Sequence, residues 1–273
     1  MGFSSTLPPA GRPGAAGPAL LVVAHGSRDP RHAATVTALL DRVRSDRPEL
    51  TVRGCYLDFT LPHPGQALER LHEEGVREVV AVPLLLTHAY HAKTDIPAVL
   101  AEATARLDGL TVRQAGVLGP DPLLTGALTR RLHGAGLAPG DHPVTGVVLA
   151  AAGSSDPEAI ATVAHTAREW QRTARWCAVR PAFASASPPT TADAVRALRA
   201  HGVRRVAVAP YVLAPGRLPD RIAAGAREAG ADIVAPVIGD CPELASLVVR
   251  RYAAAAGTVP LGLPAPTVHR RTG

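Results

Sequence analysis

The sequence predicts an α/β protein with two similar tandem domains, each a mostly parallel sheet with helices on both faces. Two observations lead to this prediction. Short apolar runs that end in Gly or polar residues alternate with segments whose apolar residues have helical spacing. This alternating series then begins a second time in the C-terminal half. Because strands that alternate with helices join through right-handed crossovers, each half should form its own parallel sheet.

The first half is predicted to alternate strand and helix throughout. The strands are short and apolar, whereas the helices are longer and show helical spacing of their apolar residues. Gly75 ends one helix, as glycine often does. In chain order the predicted elements are the strand ALLVVAH (19–25), the helix PRHAATVTALLDRVRSD (30–46), the strand LTVRGCYLD (50–58), the helix HPGQALERLHEEG (63–75), the strand REVVAVPLLL (77–86), the helix DIPAVLAEATARL (95–107), the strand LTVRQAG (110–116) and the helix DPLLTGALTRRLHGAG (121–136).

Three blocks of the first half recur in the second half in the same order. Gly, Pro and apolar positions match within each block, which indicates a tandem duplication. The paired blocks are VVAHGSRDP (22–30) with LAAAGSSDP (149–157), QALERLHEEGVREVVAVP (66–83) with DAVRALRAHGVRRVAVAP (193–210), and VLGPDPLLTGALTRR (117–131) with VIGDCPELASLVVRR (237–251).

The duplication divides the chain into two domains and two tails. The first domain is expected over residues 18–137 and the second over 145–256, with the loop LAPGDHPVT (137–145) between them. Residues 1–17 are expected to form a disordered N-terminal tail. The Pro- and Gly-rich segment 257–273 is expected to be a flexible C-terminal tail.

The net charge is +6, and Lys93 is the only lysine, so the basic residues are almost all arginine. One explanation is a codon bias towards Ala, Arg, Gly and Pro. The other is an anionic partner, because Arg makes bidentate contacts with carboxylate or phosphate. Nucleic acid is the weaker choice for that partner and is not expected to bind, since the arginines are scattered, aromatic residues are 3% of the chain and no recognised nucleic-acid-binding motif is present.

Membrane and disulfide classes are also disfavoured. No apolar stretch approaches the ~20 residues of a membrane helix. The N-terminal segment lacks the charged start, apolar centre and cleavage site of a signal peptide, so we expect a cytoplasmic protein. Cys55, Cys177 and Cys241 are far apart and form no CxxC pair, so we interpret them as small core residues.

The two halves differ in their histidines. His25 in AHGS is replaced by Ala152 in AAGS, although the Gly and Ser that follow are kept. His88 and His91, in PLLLTHAYHAKTDIP, have no histidine counterpart in PYVLAPGRLPDRI. Both losses fall at the carboxyl ends of strands, the edge where open parallel sheets bind ligands. We therefore predict that the first half carries the functional imidazoles and the second half keeps the shape.

The other histidines have ordinary explanations. His63 and His142 precede prolines in loops and suit structural roles. The rest are interpreted as common surface or core residues, namely His32, His72, His133, His165, His201 and His269.

Two polar residues near the candidate imidazoles have more than one interpretation. Asp95, which Asp220 roughly matches in the second half, either caps the helix that contains Pro97 or orients His91 from one turn away. Ser27 is a turn or cap residue, or its hydroxyl contacts a ligand. A hydrolase nucleophile is a distant alternative, because two neighbours on one loop rarely take nucleophile–base geometry.

The HGS that ends the first strand and the motif PLLL-x4-H-x3-D-I-P after the third, taken with the duplication, resemble the sirohydrochlorin chelatases. These class II tetrapyrrole chelatases insert cobalt, iron or nickel into sirohydrochlorin. The resemblance covers residues 18–256 and implies a bilobal fold with the substrate between the halves and with catalytic His25 and His91. Many members have FLE in the second strand where this chain has YLD, so a metal contact at Asp58 stays open.

The resemblance implies ATP-independent insertion of Co²⁺, Fe²⁺ or Ni²⁺ into sirohydrochlorin, for cobalamin or siroheme biosynthesis. The metal is then a substrate, and no permanently bound cofactor is expected. Neutral imidazoles bind such metals or accept pyrrole protons near pH 7, so His25, His91 and His88 are the candidate metal ligands. The candidate substrate-binding residues are Ser27, Arg28, Lys93 and Arg217.

Two expectations complete the hypothesis. A monomer suffices, because the fused halves already make a complete cleft. A non-catalytic carrier of tetrapyrrole or metal, using the same cleft, is the alternative from another functional class.

Overall fold

The computed structural model of the protein describes residues 17–87 and 95–257. Strands and helices alternate through both ranges. In chain order they are β1 (Ala19–Ala24), α1 (Pro30–Asp46), β2 (Val52–Tyr56), α2 (Pro64–Glu73), β3 (Glu78–Pro83), α3 (Ile96–Thr104), β4 (Thr111–Gln114), α4 (Pro122–Gly134), a 3₁₀ helix (Pro139–Val144), β5 (Thr145–Ala151), α5 (Pro157–Ala174), β6 (Ala178–Phe183), α6 (Thr191–Ala200), β7 (Arg205–Tyr211), α7 (Arg217–Glu228), β8 (Ile233–Val234) and α8 (Pro242–Ala256).

The described strands form two parallel sheets of the same topology. The strand order is β2-β1-β3-β4 in the first lobe, which runs from β1 to α4, and β6-β5-β7-β8 in the second lobe, from β5 to α8. Every residue of β1 and β5 is buried, which explains why these central strands read as continuous apolar runs. The two sheets confirm the predicted α/β class and the tandem repeat.

The last helix of each lobe packs against the sheet of the other lobe. α8 contacts β3 and β4, α4 contacts β7, and the two helices contact each other. Together with α1 and α5 they join the facing sides of both sheets in one hydrophobic cluster. Helices α2 and α3 cover the outer side of the first sheet, and α6 and α7 cover that of the second. The lobes therefore share one core.

Arginines at matching positions of α4 and α8 secure this exchange. Arg131 donates from Nε and Nη2 to the carbonyl oxygen of Ile238, at 3.0 and 2.7 Å. Arg251 donates from Nη2 to the carbonyl oxygen of Leu118 at 2.8 Å. These buried carbonyls lie in the segments that follow β8 and β4, so each arginine satisfies an acceptor of the opposite lobe.

Some predicted details change in the structure. The α3 helix ends at Thr104 rather than at residue 107. The segment that joins the lobes is a 3₁₀ helix over much of its length and not an irregular loop. Cys55 and Cys241 are buried as predicted, but the interpretation of Cys177 as a core residue is wrong, because it lies just before edge strand β6 and is exposed.

The predicted tails lie almost entirely outside the described residues. Among the residues that the structure does describe, none of the helices has the length and apolar character required to span a bilayer.

Candidate functional site

A cleft of about 690 Å³ lies between the two lobes. This volume is within the roughly 300–1,000 Å³ of ordinary small-molecule sites. Most of its lining comes from the segments that follow β1 and β3 in the first lobe and β5 and β7 in the second, and the loop after β2 and helices α1 and α5 contribute further residues. The carboxyl ends of the central strands of both sheets therefore face one cavity, as the sequence predicted for the ligand-binding edge.

His25 follows β1 directly and lines this cleft in a partly buried position. The chain turns away after it at Gly26, whose φ is +95° and where a Cβ would lie 1.8 Å from the carbonyl oxygen of Asp58. Only glycine fits such a close approach of two backbones. The turn thus fixes the direction in which the strand ends, and with it the place of the His25 imidazole.

The same turn exists in the second lobe without the imidazole. Gly153 has a φ of +99°, and a Cβ there would lie 1.8 Å from the carbonyl oxygen of Ser185. Ala152 occupies the position of His25 and also lines the cleft. The two positions that differ between the sequence halves, His25 and Ala152, therefore lie on facing walls of one cavity.

Ser27 lines the cleft, and its hydroxyl accepts a hydrogen bond from the backbone N–H of Asp29 at 3.1 Å. Ser154 makes the same bond to the N–H of Asp156 at 3.0 Å, in the lobe that has no histidine. The shared bond gives Ser27 the turn role that the sequence suggested. This bond does not depend on His25, because the second lobe forms it with Ala152 in place of the histidine.

Arg28 and Arg217 reach the cleft from opposite lobes. Both are exposed and line it, Arg28 after β1 and Arg217 at the start of α7. The structure therefore brings together four of the predicted site residues, namely His25, Ser27, Arg28 and Arg217. The other predicted residues, His88, His91 and Lys93, lie outside the described residues.

His32, which we interpreted from the sequence as a common surface or core residue, lines the cleft. It lies in the first turn of α1, and its Nδ1 atom is buried with no hydrogen-bond partner among the described residues. Burial and the neighbouring His25 lower the pKa of His32, against a weaker opposing effect of Asp29. Ala159 occupies its position in the second lobe, so the comparison of halves that identified His25 would also have identified His32.

The two carboxylates near the predicted histidines have different settings. Asp58 is exposed, and its backbone N–H donates to the carbonyl oxygen of His25 at 2.9 Å, which ties the loop after β2 to the end of β1. The interpretation of Asp95 as a helix cap is wrong, because its side chain makes no capping bond and its backbone is helical, with φ −70° and ψ −48°. A capping residue normally has an extended backbone.

A charged bridge crosses between the lobes beside the cleft. The Arg31 guanidinium lies 2.6 Å from carboxylate oxygens of both Asp29, in its own lobe, and Asp220, in the other. These carboxylates raise the pKa of Arg31 above its usual value. The groups are largely exposed, so the bridge orients the two helix starts more than it stabilises the fold.

Comparisons with known proteins agree with this geometry. The chain is 27% identical over 204 residues to "Sirohydrochlorin ferrochelatase" of Priestia megaterium, covering 75% of this chain and 76% of that protein. It is 27% identical over 208 residues to "Sirohydrochlorin cobaltochelatase" of the same organism, covering 74% of this chain and 66% of that protein. The solved structure "SirB from Bacillus subtilis with Fe3+" superposes with a TM-score of 0.77 at 25% identity, covering 88% of this chain and 96% of that one.

The family assignment comes from a match that occurs twice along the chain. The CbiX family model matches residues 19–135 and again residues 146–255, which contain the two sheets described above. The resemblance to sirohydrochlorin chelatases that the histidine motifs indicated is thereby confirmed, and the chain belongs to the CbiX family.

Proposed function

We propose that this protein inserts a divalent metal ion, Co²⁺, Fe²⁺ or Ni²⁺, into sirohydrochlorin in the cleft between its lobes, without ATP. The observation that carries the proposal is the position of His25. Its imidazole lies in the cleft at the carboxyl edge of the first sheet, whereas the second copy of the CbiX fold has an alanine at the matching position. The names of the related ferrochelatase and cobaltochelatase supply the substrate and the two metals.

The reaction needs groups that accept protons and exchange metal. Two pyrrole N–H protons leave the macrocycle as one M²⁺ enters. The two charges of the metal ion thus replace the charges of the two protons, and the net charge of the macrocycle does not change. A neutral imidazole at His25 can accept a proton or bind the entering metal near pH 7. We assign the second imidazole to His91 and a further metal contact to His88.

Few protein ligands suit a metal that must be handed over. A closed site of four protein ligands retains its ion, whereas two or three imidazoles leave coordination positions open to water and to the macrocycle. Among the described residues, no three His, Cys, Asp or Glu side chains come together as a metal site. We treat the metal as a substrate that passes through the cleft, because the related proteins are named as a ferrochelatase and a cobaltochelatase.

The carboxylates of sirohydrochlorin give the arginines a partner. Arg28 from the first lobe and Arg217 from the second line opposite sides of the cleft. Guanidinium groups pair with carboxylates in bidentate geometry, so one macrocycle can be held by both lobes at once. We assign Lys93 and the Ser27 hydroxyl to the same set of contacts. The two lobes of one chain supply the whole cleft, so a monomer is sufficient for the reaction. We place this reaction in the cytoplasm.

The test follows metal insertion by absorbance when sirohydrochlorin is titrated with Co²⁺, Fe²⁺ or Ni²⁺. His25→Ala, His91→Ala and the double variant are compared with the wild type and with His165→Ala, which removes an exposed histidine of α5. We expect kcat/KM to fall at least 100-fold in the double variant, because general acid–base groups contribute roughly 10²–10⁴-fold. The control keeps the wild-type rate.

The carrier alternative predicts a different result in the same titration. A carrier binds sirohydrochlorin stoichiometrically and leaves metal insertion no faster than in free solution. Wild-type rates in the double variant would also contradict the proposed site.

A further inference from the structure

The loop after β2 holds a large apolar ring at the rim of the cleft. Phe59 is 59% exposed and lines the cleft. Its φ is +61°, a left-handed backbone conformation that is unfavourable for a bulky residue. Because so much of the ring is exposed, burial contributes little to offset this strain. The position therefore calls for a reason beyond folding.

The second lobe shows that the turn itself does not need the ring. Ala186 occupies the position of Phe59, with a φ of +62°. The surrounding backbone hydrogen bonds are also repeated: the N–H of Asp58 donates to the carbonyl oxygen of His25 at 2.9 Å, and that of Ser185 to Ala152 at 3.0 Å. The same backbone thus forms with a methyl group in one lobe and a phenyl ring in the other.

A cation lies over the Phe59 ring. The guanidinium carbon of Arg28 is 5.1 Å from the ring centroid, within the range of a cation–π contact. Ser155 replaces Arg28 in the second lobe, so the ring and the cation are absent there together. In the first lobe they make one surface with a π-face and a positive charge, at the opening of the cleft that contains His25.

We infer that Phe59 and Arg28 form a docking platform for the flat, polycarboxylate tetrapyrrole. The macrocycle stacks on the phenyl ring while Arg28 pairs with one of its carboxylates. Aromatic faces favour offset stacking, and the guanidinium supplies the charge that distinguishes a carboxylated macrocycle from an uncharged one. This inference rests on the proposed function and assigns Phe59, a residue that the histidine motifs do not include, to substrate binding.

The experiment measures sirohydrochlorin binding to the metal-free protein by absorbance and fluorescence, and then the KM and kcat of metal insertion. Phe59→Ala copies the residue that the second lobe carries on the same backbone, and Arg28→Ser copies Ser155. We expect the Kd and KM to rise about 5- to 10-fold for Phe59→Ala, with a smaller change in kcat. Phe59→Tyr keeps an aromatic ring and should bind sirohydrochlorin as the wild type does. Arg28→Ser should raise the Kd at low salt, and this increase should be smaller at high salt because salt screens the charge.

The loop also supplies a matched control. Leu61 is 65% exposed, lies two residues from Phe59, and is not among the described residues that line the cleft. Leu61→Ala removes a similar exposed apolar side chain and should leave Kd, KM and kcat at wild-type values. Thermal unfolding of all variants shows whether any loss of binding comes from loss of the fold.

The outcomes separate this inference from the proposed function. Wild-type protein that metallates sirohydrochlorin, with Phe59→Ala binding it equally well, overturns the platform and leaves the proposed function standing. Equal losses in Phe59→Ala and Leu61→Ala also overturn it, because the loop rather than the ring is then responsible. Wild-type protein that neither binds nor metallates sirohydrochlorin overturns both.

Discussion

The two lobes have nearly the same backbone around the cleft and differ in the side chains that they present to it. Both keep the glycine turn after the first strand, the serine bond that follows it, and a left-handed residue in the loop after the second strand. The first lobe carries imidazole, guanidinium and phenyl groups where the second has small residues. The paired positions are His25 with Ala152, Arg28 with Ser155, His32 with Ala159, and Phe59 with Ala186.

This difference separates what the fold requires from what the chemistry requires. Residues that persist in both lobes meet backbone demands, such as the close approach at Gly26 and Gly153. Residues confined to the first lobe are not needed for the backbone, because the second lobe forms the same backbone with small residues at those positions. Ala152 and Ala159 line the opposite wall of the cleft, where their small size leaves space for a ligand. Under the proposed function, the first lobe supplies the reactive groups and the second supplies room and shape for the ligand.

The largest predicted effect concerns the glycine turn that both lobes share. Gly26→Ala and Gly153→Ala each place a methyl group 1.8 Å from a backbone carbonyl oxygen, so both turns must open. We expect each variant to lose on the order of 3 kcal/mol or more in free energy of unfolding, since strain and lost loop contacts add. Urea unfolding measures the loss.

A second glycine pair isolates the contribution of φ alone. Gly75 and Gly202 end α2 and α6 with φ of +87° and +82°, and a Cβ there meets nothing within 4 Å. Gly75→Ala and Gly202→Ala should lose only about 1 kcal/mol. A well-tolerated Gly153→Ala would show that the second lobe does not depend on its turn, and the comparison between lobes would fail.

A smaller effect concerns the helices that the lobes exchange. The Asp121 carboxylate, 5% exposed, caps α4 through the N–H of Leu123 at 3.0 Å and pairs with Arg250 and Arg251 of α8. Asp121→Asn leaves these guanidinium groups without their anion in a mostly buried place. We expect a loss of about 2 kcal/mol, below the full value for a buried pair because the arginines are partly exposed.

The matching end of the exchange is the control. Cys241 occupies the position of Asp121 and makes no side-chain cap, and the charge there comes instead from Glu243, which pairs with the more exposed Arg130. Glu243→Gln should therefore lose less than about 1 kcal/mol. Equal losses in the two variants, measured by urea unfolding, would contradict the asymmetry between the two helix starts.

Most of the fold could be predicted because its signals are local and repeated. The buried central strands, the amphipathic helices and the duplicated glycines all appear in the sequence, and they place His25 at the strand edge of a sheet. The exchange of α4 and α8 could not be predicted, because it depends on which sheet an apolar helix face meets and both sheets offer similar surfaces. Packing, rather than periodicity, decides that question.

The site was predictable where the chemistry lies next to a strand end. His25 and Arg28 follow β1 directly, so topology alone puts them at the cleft. Phe59 was missed because its role depends on a left-handed turn that the sequence does not announce. His32 was missed because it lies beyond the loop that follows β1, in the first turn of α1, and the direction of α1 returns it to the cavity.

The smallest predicted effect concerns His32 and pH. Burial and the neighbouring His25 hold the pKa of His32 below the ordinary 6.5, so the folded state resists protonation that the unfolded chain accepts. As pH falls through that ordinary value, the unfolded state binds more protons and the free energy of unfolding falls. His32→Ala, which copies Ala159, should lose less stability than the wild type over the same pH interval.

The slope against pH is the quantity to measure, because His32→Ala also removes packing and so changes stability at every pH. Urea unfolding at several values from about pH 7.5 to about pH 5.5 spans the ordinary histidine pKa. The pKa of His133 is also lowered, by burial and by His142, and it contributes the same slope to both proteins. His165→Ala removes an exposed histidine and should keep the wild-type slope. An unchanged slope in His32→Ala would mean that His32 accepts a proton in the cleft as readily as in water, which would contradict the lowered pKa.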